Sequence, residues 1–250
     1  MTISTLLPVE ARSVWQSSQP LYSPIAYRGR AHRPHRRVYY LSHRGALSEP
    51  SSSRSKRIFD VTGASMALLM LSPLLAGIAI AIKLTSPGPI LFMQYRYGHR
   101  NRRFRIFKFR TMHKEMSDKS GVRQTIGDDP RVTFLGRVLR RTSLDELPQL
   151  INVVIGDMSL VGPRPHVPGM RAASVDYEDL VPYYFQRHNI RPGITGLAQI
   201  NGCRGSTAAA AAAVSRVDYD LEYIERWSLW LDIKILWRTL RHELFSGSGI

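Results

Sequence analysis

Cysteine is nearly missing from this chain of 250 residues: Cys203 stands alone. That excludes an intramolecular disulfide framework and any zinc site built on several cysteines. Acidic residues are also scarce, 19 against 35 lysines and arginines, leaving a formal net charge of +16. Such a balance excludes an acidic, solvating chain and points towards phosphates, nucleic acid or an anionic membrane. No apolar core of signal-peptide length follows the first few residues, so no secretory signal is expected. No internal repeat is visible. The length suits one domain with appendages.

The positive charge is concentrated in two places. Residues 1–57 carry ten Lys/Arg and two acids, Glu10 and Glu49, and residues 93–114 carry eight Lys/Arg and no acid. The remainder holds 17 bases and 17 acids, so a neutral domain bears two cationic blocks. Residues 1–55 are rich in Ser, Pro and Arg without sustained periodicity, and read as a basic disordered tail.

From Val61 to Ile82, 22 consecutive residues carry no charge. At 1.5 Å per residue such a helix reaches about 33 Å, enough for a hydrocarbon core of about 30 Å. A buried core helix and a bilayer-spanning helix both fit that length. Ser72-Pro73 in mid-run predicts a bend, because Pro73 cannot bond the Leu69 carbonyl. Basic residues flank both ends: Arg54, Lys56 and Arg57 before, Lys83, Arg96 and Arg100 after. Positive charge marks the cytoplasmic side, so the favoured reading is a re-entrant membrane helix over 56–83, with both ends inside. Residues 84–250 then form the functional domain, facing the cytoplasm.

Within that domain, Ile90–Gln94 and Phe104–Phe109 read as short strands around a basic loop. Helices are expected over 132–141, near Leu147–Val154, and along 219–244, where Leu221, Ile224, Trp227, Leu231, Ile235 and Leu236 share a face. That stripe suits either a core or, with Trp227, Trp230 and Trp237 among basic residues, a membrane surface. The fold class is therefore α+β, mostly helical with a small sheet, anchored by the bent helix.

The chemistry centres on Arg140-Arg141-Thr142-Ser143-Leu144-Asp145-Glu146-Leu147-Pro148-Gln149. Its plainest reading is a capping box, Ser143-x-x-Glu146, opening a helix. A helix start also stabilises anions. There Asp145 is competent to attack phosphorus and Glu146 to hold a hard cation. Arg140, Arg164 and Arg191 offer planar forks for phosphate oxygens, and Lys108 a point charge.

At these residues the chain resembles the bacterial sugar transferase family, the monotopic phosphoglycosyl transferases. The resemblance runs from about Lys56 to Thr239. It includes Lys56–Asp60, Ser72-Pro73, Lys108–Met112, Ser143–Gln149, Gly156–Ser159, Gly162–Pro165, Arg191–Gly196 and Asp220–Tyr223. It implies transfer of a sugar 1-phosphate from a UDP-sugar to undecaprenyl phosphate at the bacterial inner membrane, in exopolysaccharide synthesis. UMP release, magnesium and a phosphosugar–Asp intermediate come with it. Asp145 matches the nucleophile, Glu146 the magnesium ligand, and Arg140 and Arg164 phosphate-binding positions. With Lys108, Arg110 and Arg191 these two make up the expected phosphate- and substrate-binding set. Inner-membrane lipid and a second copy of the chain, in a homodimer, are further expected partners.

Two positions depart from the family pattern. Leu197 and Cys203 stand where many relatives have Trp. Pro163–His166 and Asp220–Trp227 look most like glucose-type members, so glucose is the leading sugar and galactose the next. Three other readings compete. A nucleic-acid binder would explain the charge and the aromatics Tyr95, Tyr97, Phe104 and Phe107 but not the uncharged run, so no nucleic-acid partner is expected. A non-catalytic basic membrane adaptor would not explain the ordered acid–arginine motifs. A membrane-anchored glycosyltransferase would release UDP instead of UMP.

Overall fold

The uncharged run lies within one continuous helix, α1 (Arg54–Thr85). The structure is a computed structural model that describes residues 50, 52–116, 129–203, 205 and 209–246. The expected tail lies outside the described residues up to residue 49. Ser53, read as the close of that tail, is the cap of α1: its side chain accepts from the Lys56 amide at 3.3 Å. Pro73 sits inside the helix. The carbonyl it cannot serve, that of Leu69, accepts from Ser72 Oγ at 2.8 Å. The chain stays helical through Ser72-Pro73, where a bend is expected, and the carbonyl that Pro73 cannot serve takes its donor from the preceding serine.

Both ends of α1 are fastened to the same domain. Near the start, Arg57 donates to the Val153 and Val154 carbonyls at 2.6 and 2.8 Å. Buried Lys56 reaches Asp60 (3.3 Å), Asp232 (2.9 Å) and the Val161 carbonyl (3.2 Å). Near the end, Ile78 and Ile82 pack with Phe109 and Leu139. Arg110 donates to the carbonyl and hydroxyl of Ser86, which closes the helix, and to the Pro87 carbonyl. Between these anchors Met66, Leu69 and Met70 are 62–77% exposed. Among the described residues α1 is the one helix long and apolar enough to cross a membrane.

After α1 comes an antiparallel ribbon, β1 (Leu91–Tyr97) and β2 (Arg103–Phe109), registered from Leu91↔Phe109 to Tyr97↔Arg103. Directly opposed residues share a face. One face thus carries Phe92, Gln94 and Arg96 with Phe104, Ile106 and Lys108. Phe104 and Ile106 anchor it in a core with Ala64 of α1. The ribbon continues into α2 (Phe134–Arg141), a 3-10 turn (Leu144–Glu146) and α3 (Gln149–Ile155). Leu150 and Val153 of α3 complete the core under the ribbon.

Strand β3 (Ser159–Val161) lies parallel to β6 (Gly193–Thr195). Between them fall a short hairpin, β4 (Arg171–Ala172) and β5 (Val175–Asp176), and α4 (Tyr177–Leu180). Then follow α5 (Leu197–Ile200), α6 (Ala210–Arg226) and α7 (Leu229–Ser246). The architecture is mixed helix and small sheet, as expected.

The continuous helix expected over 219–244 is two helices. Trp227 leaves helical geometry at ψ 136°, and Ser228 restarts the chain by accepting from the Leu231 amide at 3.1 Å. The apolar stripe runs on across the break, which hid it from periodicity. The tryptophans also divide. Trp227 packs in the core and donates to Asp232 at 3.2 Å, whereas Trp230 and Trp237 are 71% and 66% exposed.

Candidate active site

The acidic pair sits on the turn between α2 and α3. Ser143, just before it, has φ 54°, a left-handed conformation that costs a non-glycine residue about 1–3 kcal/mol. Its hydroxyl donates to Glu243 of α7 at 3.1 Å and makes no capping bond to the backbone. The capping box expected at Ser143-x-x-Glu146 is therefore not formed, because the serine is turned away to another helix. Asp145 and Glu146 lie in the 3-10 turn ahead of α3.

The two carboxylates have opposite surroundings. Glu146 accepts from Lys108 Nζ at 2.7 Å and from Arg164, whose two terminal nitrogens take one oxygen each, one of them at 3.0 Å. Burial alone would raise its pKa, but Arg164 and Lys108 outweigh burial and hold it well below the usual carboxylate range. Asp145 is 8% exposed, and among the described residues no hydrogen bond or ion pair reaches its carboxylate. Burial raises its pKa from 3.8 to about 6, with Glu146 adding to the rise and Lys108, Arg140 and Arg164 opposing it. A pKa of about 6 favours the ionised form of Asp145 at neutral pH, and among the described residues no donor reaches its lone pairs.

The cations are positioned by the fold. Lys108 points inwards because the ribbon register puts it on the buried face, and β2 is held to α3 by Asn152. That fully buried amide donates to the Arg105 carbonyl at 2.7 Å and accepts from the Phe107 amide at 2.9 Å. Arg140 donates from Nε to Thr111 Oγ1 at 2.9 Å. The approach requires glycine at Gly136, where a Cβ would stand 2.1 Å from the Thr111 carbonyl oxygen.

Arg164 follows β3 in a pinned loop. The Gly162 amide donates to Thr195 and the Gly193 amide to Pro163, each at 2.9 Å. The Arg164 carbonyl accepts from buried Arg187 at 2.7 Å, which is itself paired with Asp220. A Cβ on Gly193 would lie 2.1 Å from the Gly162 nitrogen.

Of the residues expected to bind phosphate, Lys108, Arg140 and Arg164 converge on the acidic pair. Arg110 and Arg191 do not. Arg110 caps the end of α1, and Arg191 donates to the Gly156 carbonyl at 3.0 Å at the end of α3. Conversely, sequence reasoning passed over Arg96 and Gln94, which share the Lys108 face of the ribbon. Counting alternate positions along β1 would have found them. It also passed over Asn152.

Among the described residues no group of three or more His, Cys, Asp or Glu converges as a metal cage. Magnesium, however, is habitually held by one or two carboxylates together with water and substrate phosphates. An acidic pair ringed by Lys108, Arg140 and Arg164 fits a donor set of that kind.

A buried carboxylate that no donor reaches among the described residues thus stands inside a ring of cations, on a domain carrying a long apolar helix. Residues 51–246 match the bacterial sugar transferase family, and the chain belongs to it. It is 54% identical over 194 residues to the undecaprenyl-phosphate glucose phosphotransferase of Komagataeibacter xylinus, covering 78% of this chain and 36% of that protein. It is 50% identical over 194 residues to the exopolysaccharide production protein PSS of Rhizobium leguminosarum bv. phaseoli, covering 78% and 97%. With the UDP-glucose:undecaprenyl-phosphate glucose-1-phosphate transferase of Escherichia coli K12 it shares 51% over 185 residues, 74% and 39%. The match thus spans little more than a third of the Komagataeibacter and Escherichia proteins and nearly all of the Rhizobium one.

Proposed function

We propose that the chain transfers a hexose 1-phosphate from a UDP-sugar to undecaprenyl phosphate, with UDP-glucose the leading donor and UDP-galactose the next. The observation that carries this reading is the asymmetry of the acidic pair: Glu146 is paired with Lys108 and Arg164, and among the described residues nothing bonds to the Asp145 carboxylate. An Asp145 oxygen attacks the phosphorus bearing the sugar. The bond from that phosphorus to the bridging oxygen breaks, and the electron pair leaves with UMP. A phosphate oxygen of the lipid then attacks the same phosphorus and frees Asp145, giving a lipid diphosphate sugar. The sugar–oxygen bond is untouched throughout. Lys108, Arg140 and Arg164 stabilise the charge on the equatorial oxygens, as positioned cations do in phosphoryl transfer.

Glu146 would hold magnesium together with substrate phosphates and water, and the ion would supply charge neutralisation at the diphosphate. One of the two cations now on Glu146 would then turn to substrate.

The membrane part of the reading is a helix that enters and returns on the cytoplasmic face of the inner membrane. It is supported by the anchoring of both ends of α1 to one domain, with apolar residues exposed between. Each exposed Leu or Met forfeits about 1.5–3 kcal/mol in water relative to full burial, a cost that lipid removes. Exposed Trp230 and Trp237 on α7 suit the interfacial layer.

Nucleotide analysis tests the reaction. Purified chain with UDP-glucose and undecaprenyl phosphate should release UMP. Release of UDP would instead support a glycosyltransferase, and no nucleotide release would support a non-catalytic protein.

A further inference from the structure

The buried face of the ribbon carries more cationic and donor capacity than its protein partners use. Gln94 is 6% exposed, and its Oε1 accepts from Arg96 Nη2 at 2.6 Å. The amide nitrogen of Gln94 and the Nε of Arg96 are both buried, and among the described residues both lack an acceptor. These are donors only, side by side on one strand face, in line with Lys108. A buried donor left without a partner costs about 1–3 kcal/mol. Two of them together are costly unless something fills the gap.

The pair stands next to the acidic centre. The amide of Tyr97, the residue after Arg96, donates to the His166 carbonyl at 2.9 Å. That bond ties the end of β1 to the loop bearing Arg164. Lys108 and Arg164 already pair with Glu146, so among the described residues the charge of Arg96 has no carboxylate of its own. Burial, and after it repulsion from Arg164, lowers its pKa to about 10. The group is charged at neutral pH, under-neutralised, and short of acceptors.

Resting on the function proposed above, we infer that Gln94 and Arg96 form a second anion subsite beside Arg164, which receives non-reacting phosphate oxygens of a substrate. The missing partner is an acceptor, which matches phosphate oxygen: the guanidinium offers a fork for two oxygens and the Gln94 amide adds a third donor. The same oxygen chemistry comes from the nucleotide diphosphate and from the lipid phosphate, so the source is a matter for the test.

Binding by the detergent-purified full chain is measured for uridine, UDP and a short-chain polyprenyl phosphate, with the melting temperature followed in parallel. In the wild type, UDP binding well above uridine and UMP release from UDP-glucose check the underlying function independently. Arg96→Gln should weaken one phosphate ligand by ~10- to 100-fold, as for loss of a charge-assisted contact, while uridine binding is unchanged. Loss confined to UDP assigns the subsite to the donor, and loss confined to the polyprenyl phosphate assigns it to the acceptor.

Gln94→Glu gives Arg96 a carboxylate of its own. It should cost the same ligand a similar factor while the melting temperature holds or rises, because an unpaired buried group gains a partner. Unchanged affinity for both phosphate ligands in Arg96→Gln would overturn the inference. So would an equal loss for uridine, which would mark Arg96 as structural. A wild type that binds UDP but releases no UMP would instead count against the function and leave the subsite standing.

Discussion

Arg164 closes on both oxygens of Glu146, and the carboxylate next in line, that of Asp145, is left without a partner among the described residues. One acid is thereby fixed as an ionised member of the ring of cations, and the other keeps the lone pairs that nucleophilic attack needs.

Asp145→Asn should abolish adduct formation and also stabilise the protein. The folded pKa of about 6 lies above the 3.8 of the unfolded group, so the folded state holds this proton more tightly than the unfolded chain. Stability from this group is greatest below pH 3.8, falls as pH rises to about 6, and is fully forfeited above. At pH 7.5 removing the charge should gain on the order of 3 kcal/mol, read as a higher denaturant midpoint with the slope unchanged. A lower midpoint would contradict the burial argument.

The same shift sets a pH profile. The rate of the acceptor-free burst of UMP should climb through about pH 6 and level off above, following ionisation of Asp145. Glu146, held well below the carboxylate range, should add no second step in that window. A burst already at its plateau at pH 5 would count against Asp145 as the nucleophile.

Glu146→Gln should slow turnover by at least ~100-fold and destabilise the fold by about 2–4 kcal/mol, since Lys108 and Arg164 lose their counter-charge. Magnesium titration of the residual activity should show a weakened dependence. A variant of wild-type stability would mean the ion pairs in the structure carry little.

The arginines separate by role. Arg110→Gln should lower the melting temperature, because the carbonyls at the end of α1 lose their donor, yet leave UMP release per folded molecule within about 3-fold. Arg164→Gln should cost ~100-fold or more in release, in the range of lost transition-state donors. Equal losses in the two would erase the distinction drawn from their contacts.

That distinction marks where sequence reasoning reached its limit. Lys108, Arg110, Arg140, Arg164 and Arg191 read alike as phosphate ligands in the sequence, because motif and charge do not reveal which of them meet the acidic pair and which meet a carbonyl. The choice is made by packing: α1 ends where Arg110 can reach Ser86, and α3 ends where Arg191 can reach Gly156. Arg96 looked like one basic residue among eight until the β1–β2 register put it opposite Phe104, on the Lys108 face. The uncharged run was legible as a helix, but the bond from Ser72 to the Leu69 carbonyl is a local hydrogen bond that a proline rule overlooks. The split at Trp227-Ser228 was hidden because the apolar spacing runs through it.

The arrangement of α1 can be checked directly. With Cys203 replaced by serine, single cysteines at Arg54 and Lys83, both exposed, should label from the same side of sealed vesicles. Labelling from opposite sides would show a helix that spans the bilayer.

The central claim is attack by Asp145, and the most direct measurement is the location of the trapped adduct. Enzyme is incubated with UDP-glucose radiolabelled in the sugar, without lipid acceptor, then digested and the labelled peptide sequenced. The label should lie on Asp145, with UMP released in equal amount. A label on Glu146, or UDP as the only nucleotide product, would contradict the account.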